Sequence, residues 1–103
     1  MIESIYQRKV IRILRELFPG CVILRNDPTF IQGVPDIIIL FNDRWAMLEF
    51  KRSDKAGKRP NQTYYVDMLN NMSYASFISP ENEEEVIYDL QCALGAVGPS
   101  RVS

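Results

Sequence analysis

The sequence contains no histidine among its 103 residues. This absence excludes a Ser-His-Asp triad. It also removes the side chain that most often acts as a general base and most often binds zinc. Only two cysteines occur, Cys21 and Cys92, and they lack the C-x-x-C spacing of redox or zinc sites. We expect reduced thiols rather than a disulfide. Any chemistry must therefore rest on carboxylates, lysine or a hard cation.

Long hydrophobic runs are also absent. No apolar segment approaches the roughly 18 residues that span a membrane, and Met1–Ser4 lacks the order of a secretory signal. The composition, 47% hydrophobic and 24% charged, is typical of a globular protein. We expect one soluble, cytoplasmic domain over residues 1–95. Residues 96–103 have little to bury and are expected to form a flexible tail.

Neither sign of charge dominates, because the formal net charge is −1. This balance argues against a protein that coats nucleic acid through summed positive potential. Charge is nevertheless uneven along the chain, since basic residues gather between Arg44 and Arg59 and acidic ones between Glu81 and Glu85. The sequence therefore has a basic middle and an acidic late segment.

Hydrophobic periodicity and turn residues predict seven elements in the order helix, three strands, helix, strand, helix. Asn42-Asp43 is a turn signal, so the second and third strands should form an antiparallel hairpin. The fold class is α/β, with a mixed sheet flanked by helices on both faces. The predicted elements are a helix over Ile2–Phe18, strands over Cys21–Leu24, Val34–Phe41 and Arg44–Phe50, a helix from Pro60 to about Met72, a strand over Tyr74–Ile78, and a helix capped by Ser79, begun by Pro80 and ended near Gly95.

Acidic side chains fall on the sheet where apolar ones are expected. Alternation along the third strand places Glu49 and Lys51 on one face with Trp45 and Met47. Asp36 shares that face if the hairpin loop has an even number of residues, and a four-residue loop would place it opposite Glu49. An exposed Glu49–Lys51 ion pair is the plain alternative, since such pairs are common.

Two carboxylates facing each other across a sheet repel, and a divalent cation resolves the conflict. Carboxylate oxygens suit hard ions such as Mg²⁺ or Mn²⁺, which also bind phosphate oxygens and acidify water. Lys51 can then orient or deprotonate that water. In the first helix, Glu3 and Gln7 project into the apolar arc. Glu3 at the N-terminus has a second explanation, because the helix dipole favours an acid there.

Two motifs resemble a known family. Gly33-Val34-Pro35-Asp36, an apolar strand, a turn and Leu48-Glu49-Phe50-Lys51 resemble the signature of the PD-(D/E)XK nuclease superfamily. They look most like the VRR-NUC branch, in which a helix-borne Glu, G-x-P-D, E-x-K and a later Gln follow in this order. The resemblance extends from Glu3 to the last helix and implies a restriction-endonuclease-like core. The matching positions are Glu3, Asp36, Glu49, Lys51 and Gln62.

The resemblance implies a metal-dependent nuclease. Asp36 and Glu49 would ligate Mg²⁺ or Mn²⁺, with the carbonyl of Phe50 as a third ligand and Glu3 as an outer one. Lys51 would act on the nucleophilic water.

Gln62 would support the catalytic site or touch DNA, although a polar residue in the first turn of a helix needs no function. The basic run that leaves the third strand suits phosphate contacts, or it is a solvated loop. The residues expected to bind DNA are Lys51, Arg52, Lys55, Lys58 and Arg59.

A domain this small has little surface with which to read sequence, so we expect recognition of DNA structure, such as junctions, flaps or nicks. Stand-alone VRR-NUC nucleases imply a homodimer that could resolve a Holliday junction. An apolar set on the second long helix could form a contact surface or belong to the core. Its members are Tyr64, Tyr65, Met68 and Met72.

Other classes stay open. A nucleic-acid-binding module could keep this fold without activity. A non-enzymatic α/β interaction protein could use Asp36, Glu49 and Lys51 as a structural ion network. Within the enzymes, an exonuclease or an RNA nuclease also fits the sequence.

Overall fold

A computed structural model describes residues 4–95. The predictions for Glu3 and for the tail over 96–103 therefore lie outside the described residues. The described elements have the predicted α/β order, and no helix among them is long and apolar enough to cross a membrane. They are α1 (Ile5–Leu17), β1 (Val22–Arg25), β2 (Ile37–Phe41), β3 (Arg44–Phe50), α2 (Pro60–Met72), β4 (Tyr74–Ile78) and α3 (Glu83–Leu94).

The sheet is mixed, as predicted, with the strand order β1-β2-β3-β4. The pairs β1–β2 and β2–β3 are antiparallel, whereas β3 and β4 are parallel and need α2 as a crossover. The predicted hairpin is confirmed, because Phe41 pairs with Arg44 and leaves Asn42-Asp43 as its loop. Asn42 has φ 57°, a left-handed conformation that asparagine tolerates well.

Helices cover both faces of the sheet and divide the core into two clusters. On one face, α1 and α3 pack Leu14 and Leu90 against strand residues that include Ile39 and Leu48. On the other face, α2 packs against β3 and β4. This second cluster contains Val66, Leu69 and Ala75, with Trp45 and Met47 packed against it. The alternation predicted for β3 is thus confirmed, and it aims Glu49 toward the α2 side.

The helix α1 begins at Ile5 rather than Ile2. Ser4 is extended and caps it, because its Oγ accepts a hydrogen bond from the Gln7 N–H at 3.0 Å. Strand β2 likewise begins later than predicted, at Ile37 instead of Val34. Pro35 has no N–H for the sheet, and its carbonyl accepts a hydrogen bond from a loop asparagine, Asn26, at 2.8 Å.

The prediction that Ser79 caps α3 was wrong, since the helix begins at Glu83 with Asn82 as the N-cap. Asn82 holds the preceding turn: its Oδ1 accepts from the Ser79 N–H at 2.8 Å, and its Nδ2 donates to the Phe77 carbonyl at 3.1 Å. This local bonding satisfies the backbone without a helix. The predicted end is confirmed, because Gly95 follows α3 with φ 77°.

The apolar set on α2 is divided between core and surface. Tyr65 and Met68 are half-buried and pack against the second cluster, whereas Tyr64 and Met72 are exposed. The core expectation therefore holds for Tyr65 and Met68, and the contact surface stays a prediction for Tyr64 and Met72.

Candidate active site

The two predicted carboxylates meet at the open end of the hairpin. Because Ile37 pairs with Leu48, the residue before β2 lies level with the residue after Leu48, which sets Asp36 against Glu49. Asp36 Oδ2 accepts a hydrogen bond from the Phe50 N–H at 2.9 Å, which fixes it beside β3. Both carboxylates line a cavity of about 590 Å³.

Gln62, in the first turn of α2, joins the acidic and basic parts of the site. Its Nε2 donates to Glu49 Oε2 at 2.9 Å, and its Oε1 accepts from Lys51 Nζ at 2.9 Å. The same Oε1 accepts from the Arg59 N–H at 3.1 Å, which satisfies one free donor at the helix N-terminus. The structure therefore places Gln62 in contact with Glu49 and Lys51; its role in supporting the catalytic site or touching DNA stays a prediction.

Lys51 follows β3 and is half-buried. Its backbone N–H extends the parallel ladder by donating to the Ile78 carbonyl at 2.9 Å. Its Nζ donates to Gln62 and to the Gly57 carbonyl, the latter at 3.0 Å. An ammonium has three N–H donors, so one donor is left over for a water or a phosphate oxygen.

Asp36 is held from behind by Asn26, which follows β1. The Asn26 N–H donates to the Asp36 carbonyl at 2.9 Å, while its side chain holds the carbonyl of Pro35. These bonds fix the backbone that carries Asp36 to the edge strand. Sequence reasoning missed Asn26, because nothing in the local sequence pattern distinguishes this positioning role from that of an ordinary turn residue.

Burial makes the carboxylate pair electrostatically costly. Glu49 is only 6% exposed, and desolvation together with the negative charge of Asp36 raises its pKa to about 7. The charges of Lys51 and Arg59 and a hydrogen bond from the Asp36 backbone act in the opposite direction. Desolvation also raises the pKa of Asp36 above its usual value, against the hydrogen bond from Phe50.

The donor set fits a hard cation only in combination with other ligands. Within residues 4–95 no cluster of three or more His, Cys, Asp or Glu side chains is placed to hold a metal ion. Asp36 and Glu49 offer two carboxylates at one cavity, and burial raises the pKa of both; a bound cation would favour their ionised forms. Mg²⁺ commonly uses one or two carboxylates and completes its shell with water and phosphate oxygens. The pair fits that mode of binding.

The structure describes only one of the two other predicted metal ligands, the backbone of Phe50 and the side chain of Glu3. Phe50 directly follows Glu49, and its N–H contacts Asp36, so its backbone lies at the pair. Its carbonyl stays a predicted ligand. Glu3 lies outside the described residues.

Comparison with known proteins gives a structural match alone. No protein-family model matches the chain, and no curated protein matches it. Among solved structures, a chain named "VRR_NUC domain protein" is similar at a TM-score of 0.57 and 16% sequence identity. The similarity covers 92% of this chain and 93% of that one. This chain has the fold of that VRR_NUC domain. At this identity the likeness establishes the architecture and leaves the chemistry to the site.

The predicted DNA-binding residues are placed unevenly around the VRR_NUC-like core. Arg59 is exposed and lines the cavity of Asp36 and Glu49. Lys58 is also exposed, and its Nζ lies 4.6 Å from the centroid of the Phe77 ring. Arg52 and Lys55 are exposed on the loop before α2 and are not among the residues that line this cavity.

Part of the cavity wall was not predicted from sequence. Asn61, next to Gln62 on α2, lines the cavity and closely approaches Gly33 in the loop before Asp36. Gly33 permits this approach, because it has φ 92° and a Cβ there would lie 2.8 Å from Asn61 Cγ. The positive φ and the close contact with α2 together require a residue without a side chain at this position.

Proposed function

We propose that the chain is a divalent-metal-dependent deoxyribonuclease, a DNA endonuclease specific for branched, flapped or nicked DNA. One observation carries the proposal: Asp36 and Glu49 face each other in a cavity, and Gln62 links Glu49 to Lys51. The fold shared with a VRR_NUC domain protein supports a nuclease-type domain. The four-way Holliday junction belongs to the proposed substrate class.

Each residue has a distinct role in the proposed reaction. Asp36, Glu49 and the carbonyl of Phe50 would hold Mg²⁺ or Mn²⁺. The bound ion supplies Lewis acidity, which neutralises charge on the scissile phosphate and acidifies water. Lys51 directs its remaining N–H toward the attacking water or the developing phosphate charge. Gln62 acts as a positioning residue, because it fixes both Glu49 and the Lys51 ammonium.

Metal binding distinguishes this proposal from a structural ion network. A network of Asp36, Glu49 and Lys51 is already complete without added metal, whereas the proposed site must take up a cation. Titration calorimetry with Mn²⁺ should show binding to the wild type and its loss in Asp36→Ala. An Asp43→Ala variant, in the exposed hairpin loop, is the matched control and should bind as the wild type does. Equal binding by all three proteins would remove Asp36 from the metal site.

The substrate class is tested by cleavage of DNAs that share one sequence but differ in structure. We expect faster cutting of a four-way junction, a flap or a nicked duplex than of intact duplex. Equal rates on all of them would contradict structure specificity, and cutting only from free ends would identify an exonuclease. Preferential cutting of RNA would assign the site to RNA instead.

The proposed active form is a homodimer, which would place two active sites on opposing strands of a junction. The exposed Tyr64 and Met72 of α2 are the part of the apolar set free of the described core. Sedimentation at micromolar concentration should show a dimer. A monomer at every concentration, together with undiminished junction cutting, would contradict this part of the proposal.

A further inference from the structure

Phe30 has the largest exposed fraction among the exposed large hydrophobic side chains of residues 4–95, at 84%. Ile31 beside it is 40% exposed, so two adjacent apolar side chains face water. Leaving a phenylalanine in water forgoes the free energy that its burial would contribute. Single exposed apolar residues are common on soluble proteins, and a function must be argued from the position of this pair.

That position is the rim of the candidate active site. The residues on either side of the pair, Pro28-Thr29 and Gln32-Gly33, line the same cavity as Asp36 and Glu49. Phe30 therefore stands at the tip of the loop that forms one wall of the catalytic cavity. A DNA strand whose phosphate entered the cavity would pass this rim.

The loop is fixed by its own hydrogen bonds. Asp27 Oδ1 accepts from the Thr29 N–H at 2.9 Å and from the Thr29 hydroxyl at 2.6 Å. The Phe30 N–H donates to the Asp27 carbonyl at 3.2 Å. At the base of the loop, Asn26 bonds to the backbone of Asp36. The backbone that carries the ring is held in this way, so it loses little freedom when the loop binds a ligand, which favours its use as a contact.

Positive charge at the same cavity fits a nucleic-acid strand. Arg59 also lines the cavity, and an arginine there can contact a backbone phosphate while an aromatic ring contacts a base. Aromatic stacking on bases tolerates any sequence, but it requires a base that is not already paired and stacked within a duplex. The rim of the cavity thus combines an aromatic ring, Phe30, with the positive charge of Arg59.

We propose that Phe30 stacks on an unpaired DNA base next to the scissile phosphate and so selects DNA with unpaired bases, as in flaps, branch points and single strands. The inference rests on the proposed nuclease function and names its specificity residue. Ile31 extends the apolar contact surface.

The test measures binding apart from cleavage. The full chain carrying Glu49→Gln, which blocks the proposed chemistry, is titrated by fluorescence anisotropy into a blunt duplex, a flap and a single strand of matched sequence. In the flap, the base at the branch point is a fluorescent adenine analogue whose emission falls on stacking. Phe30→Ala and Phe30→Trp are compared in this background. Tyr88→Ala is the aromatic control, because Tyr88 is 52% exposed on α3, across the sheet from α2. Circular dichroism checks folding.

We expect Phe30→Ala to weaken binding to the flap and the single strand by about 5- to 150-fold, the range for removing one base–aromatic stack, and to change duplex binding by less than about twofold. Phe30→Trp should retain affinity and quench the analogue, and Tyr88→Ala should match the parent. Equal weakening on every DNA, no weakening, or no quenching by the parent would overturn the inference. So would a dimer that dissociates in Phe30→Ala with DNA binding unchanged, which would make the loop an interface between copies.

The two proposals fail separately. If protein with Glu49 intact cuts DNA but Phe30→Ala binds as its parent does, only the role of Phe30 is overturned. If base selection by Phe30 is found but the protein cuts nothing, only the nuclease activity is overturned.

Discussion

The substitution Glu49→Gln should change how stability depends on pH, and the direction follows from the site. Burial and the charge of Asp36 raise the pKa of Glu49 from 4.5 to about 7 in the folded chain. Between these values the folded state binds more protons than the unfolded state, so the free energy of unfolding must fall as pH rises. Glutamine has nearly the same shape and cannot ionise, which removes this dependence.

The size of the effect follows from the shift. Each pKa unit corresponds to about 1.4 kcal/mol, so ionising Glu49 should cost the metal-free protein about 3 kcal/mol once the pH exceeds about 7. Below about pH 4.5 Glu49 is protonated in both states and contributes no difference. Relative to Glu49→Gln, the wild type should therefore lose about 3 kcal/mol across this interval. Such a loss is a large part of the stability of a domain this small.

Urea unfolding in the presence of a chelator measures this difference. Trp45, the single tryptophan of the chain, packs beside the second core cluster and reports unfolding by fluorescence. Curves collected between about pH 4.5 and pH 8 give the free energy by linear extrapolation. Glu84→Gln, an exposed acid on α3, is the matched control and should follow the wild type. Asp36 titrates in the same site, so the difference between the wild type and Glu49→Gln is the informative quantity.

Parallel stability curves for the wild type and Glu49→Gln would refute the reasoning. They would mean that water or a neighbouring group satisfies the Glu49 carboxylate without cost. If the reasoning holds, added Mg²⁺ should restore stability to the wild type above about pH 7, because a ligand that binds only the folded state stabilises it. Glu49→Gln should show a much smaller gain.

Two further predictions concern the cavity and the basic residues at the start of α2. Charge reversal at Lys58 and Arg59 should weaken DNA binding and lower its salt slope by about one for each phosphate that is no longer neutralised, measured by anisotropy at several salt concentrations; an unchanged slope would remove both residues from the interface. Gly33→Ala should destabilise the fold by about 1–3 kcal/mol in urea unfolding, because the new Cβ meets Asn61 at 2.8 Å with φ 92°. Gly57→Ala, where a Cβ has open space, should leave stability nearly unchanged, and equal effects at both glycines would contradict the close-contact argument.

The hairpin could be predicted because its signals are local. An apolar run, a two-residue turn and a second apolar run define β2 and β3, and the period of two decides which side chains share a face. Either even-numbered loop sets Asp36 level with Glu49, so the register does not depend on which loop is chosen. The structure has the two-residue loop Asn42-Asp43.

Element starts were less predictable because side chains far along the chain or just beyond the boundary decide them. The start of β2 depends on Asn26, nine residues earlier in the chain, whose side chain donates a hydrogen bond to the carbonyl of Pro35. The start of α3 depends on Asn82, whose side chain forms hydrogen bonds with the turn after β4, so the helix begins only after this residue. Helix-capping propensity favours Ser79 and Pro80 at a helix start, but it does not account for these competing hydrogen bonds.

The same limit applies to the cavity. Asp36, Glu49 and Lys51 lie on the hairpin, and the sequence pattern sets them together. Asn61 reaches the site because the crossover helix α2 begins beside the cavity. The local sequence pattern does not predict this long-range placement. Gln62 was found through the family motif, since its position in a first helical turn carries no signal of its own.

Cleavage of supercoiled plasmid tests the nuclease assignment most directly. Wild type, Glu49→Ala, Lys51→Ala and the exposed control Glu84→Ala are incubated with Mg²⁺ or Mn²⁺, and with a chelator. We expect wild type and control to nick or linearise the plasmid only with metal. We expect Lys51→Ala to lose at least about a hundredfold in rate, the typical contribution of a positioned acid–base group, and Glu49→Ala to lose at least as much because it removes a metal ligand. No cutting by the wild type, or equal cutting by the site variants, would contradict the assignment of Glu49 and Lys51 to catalysis.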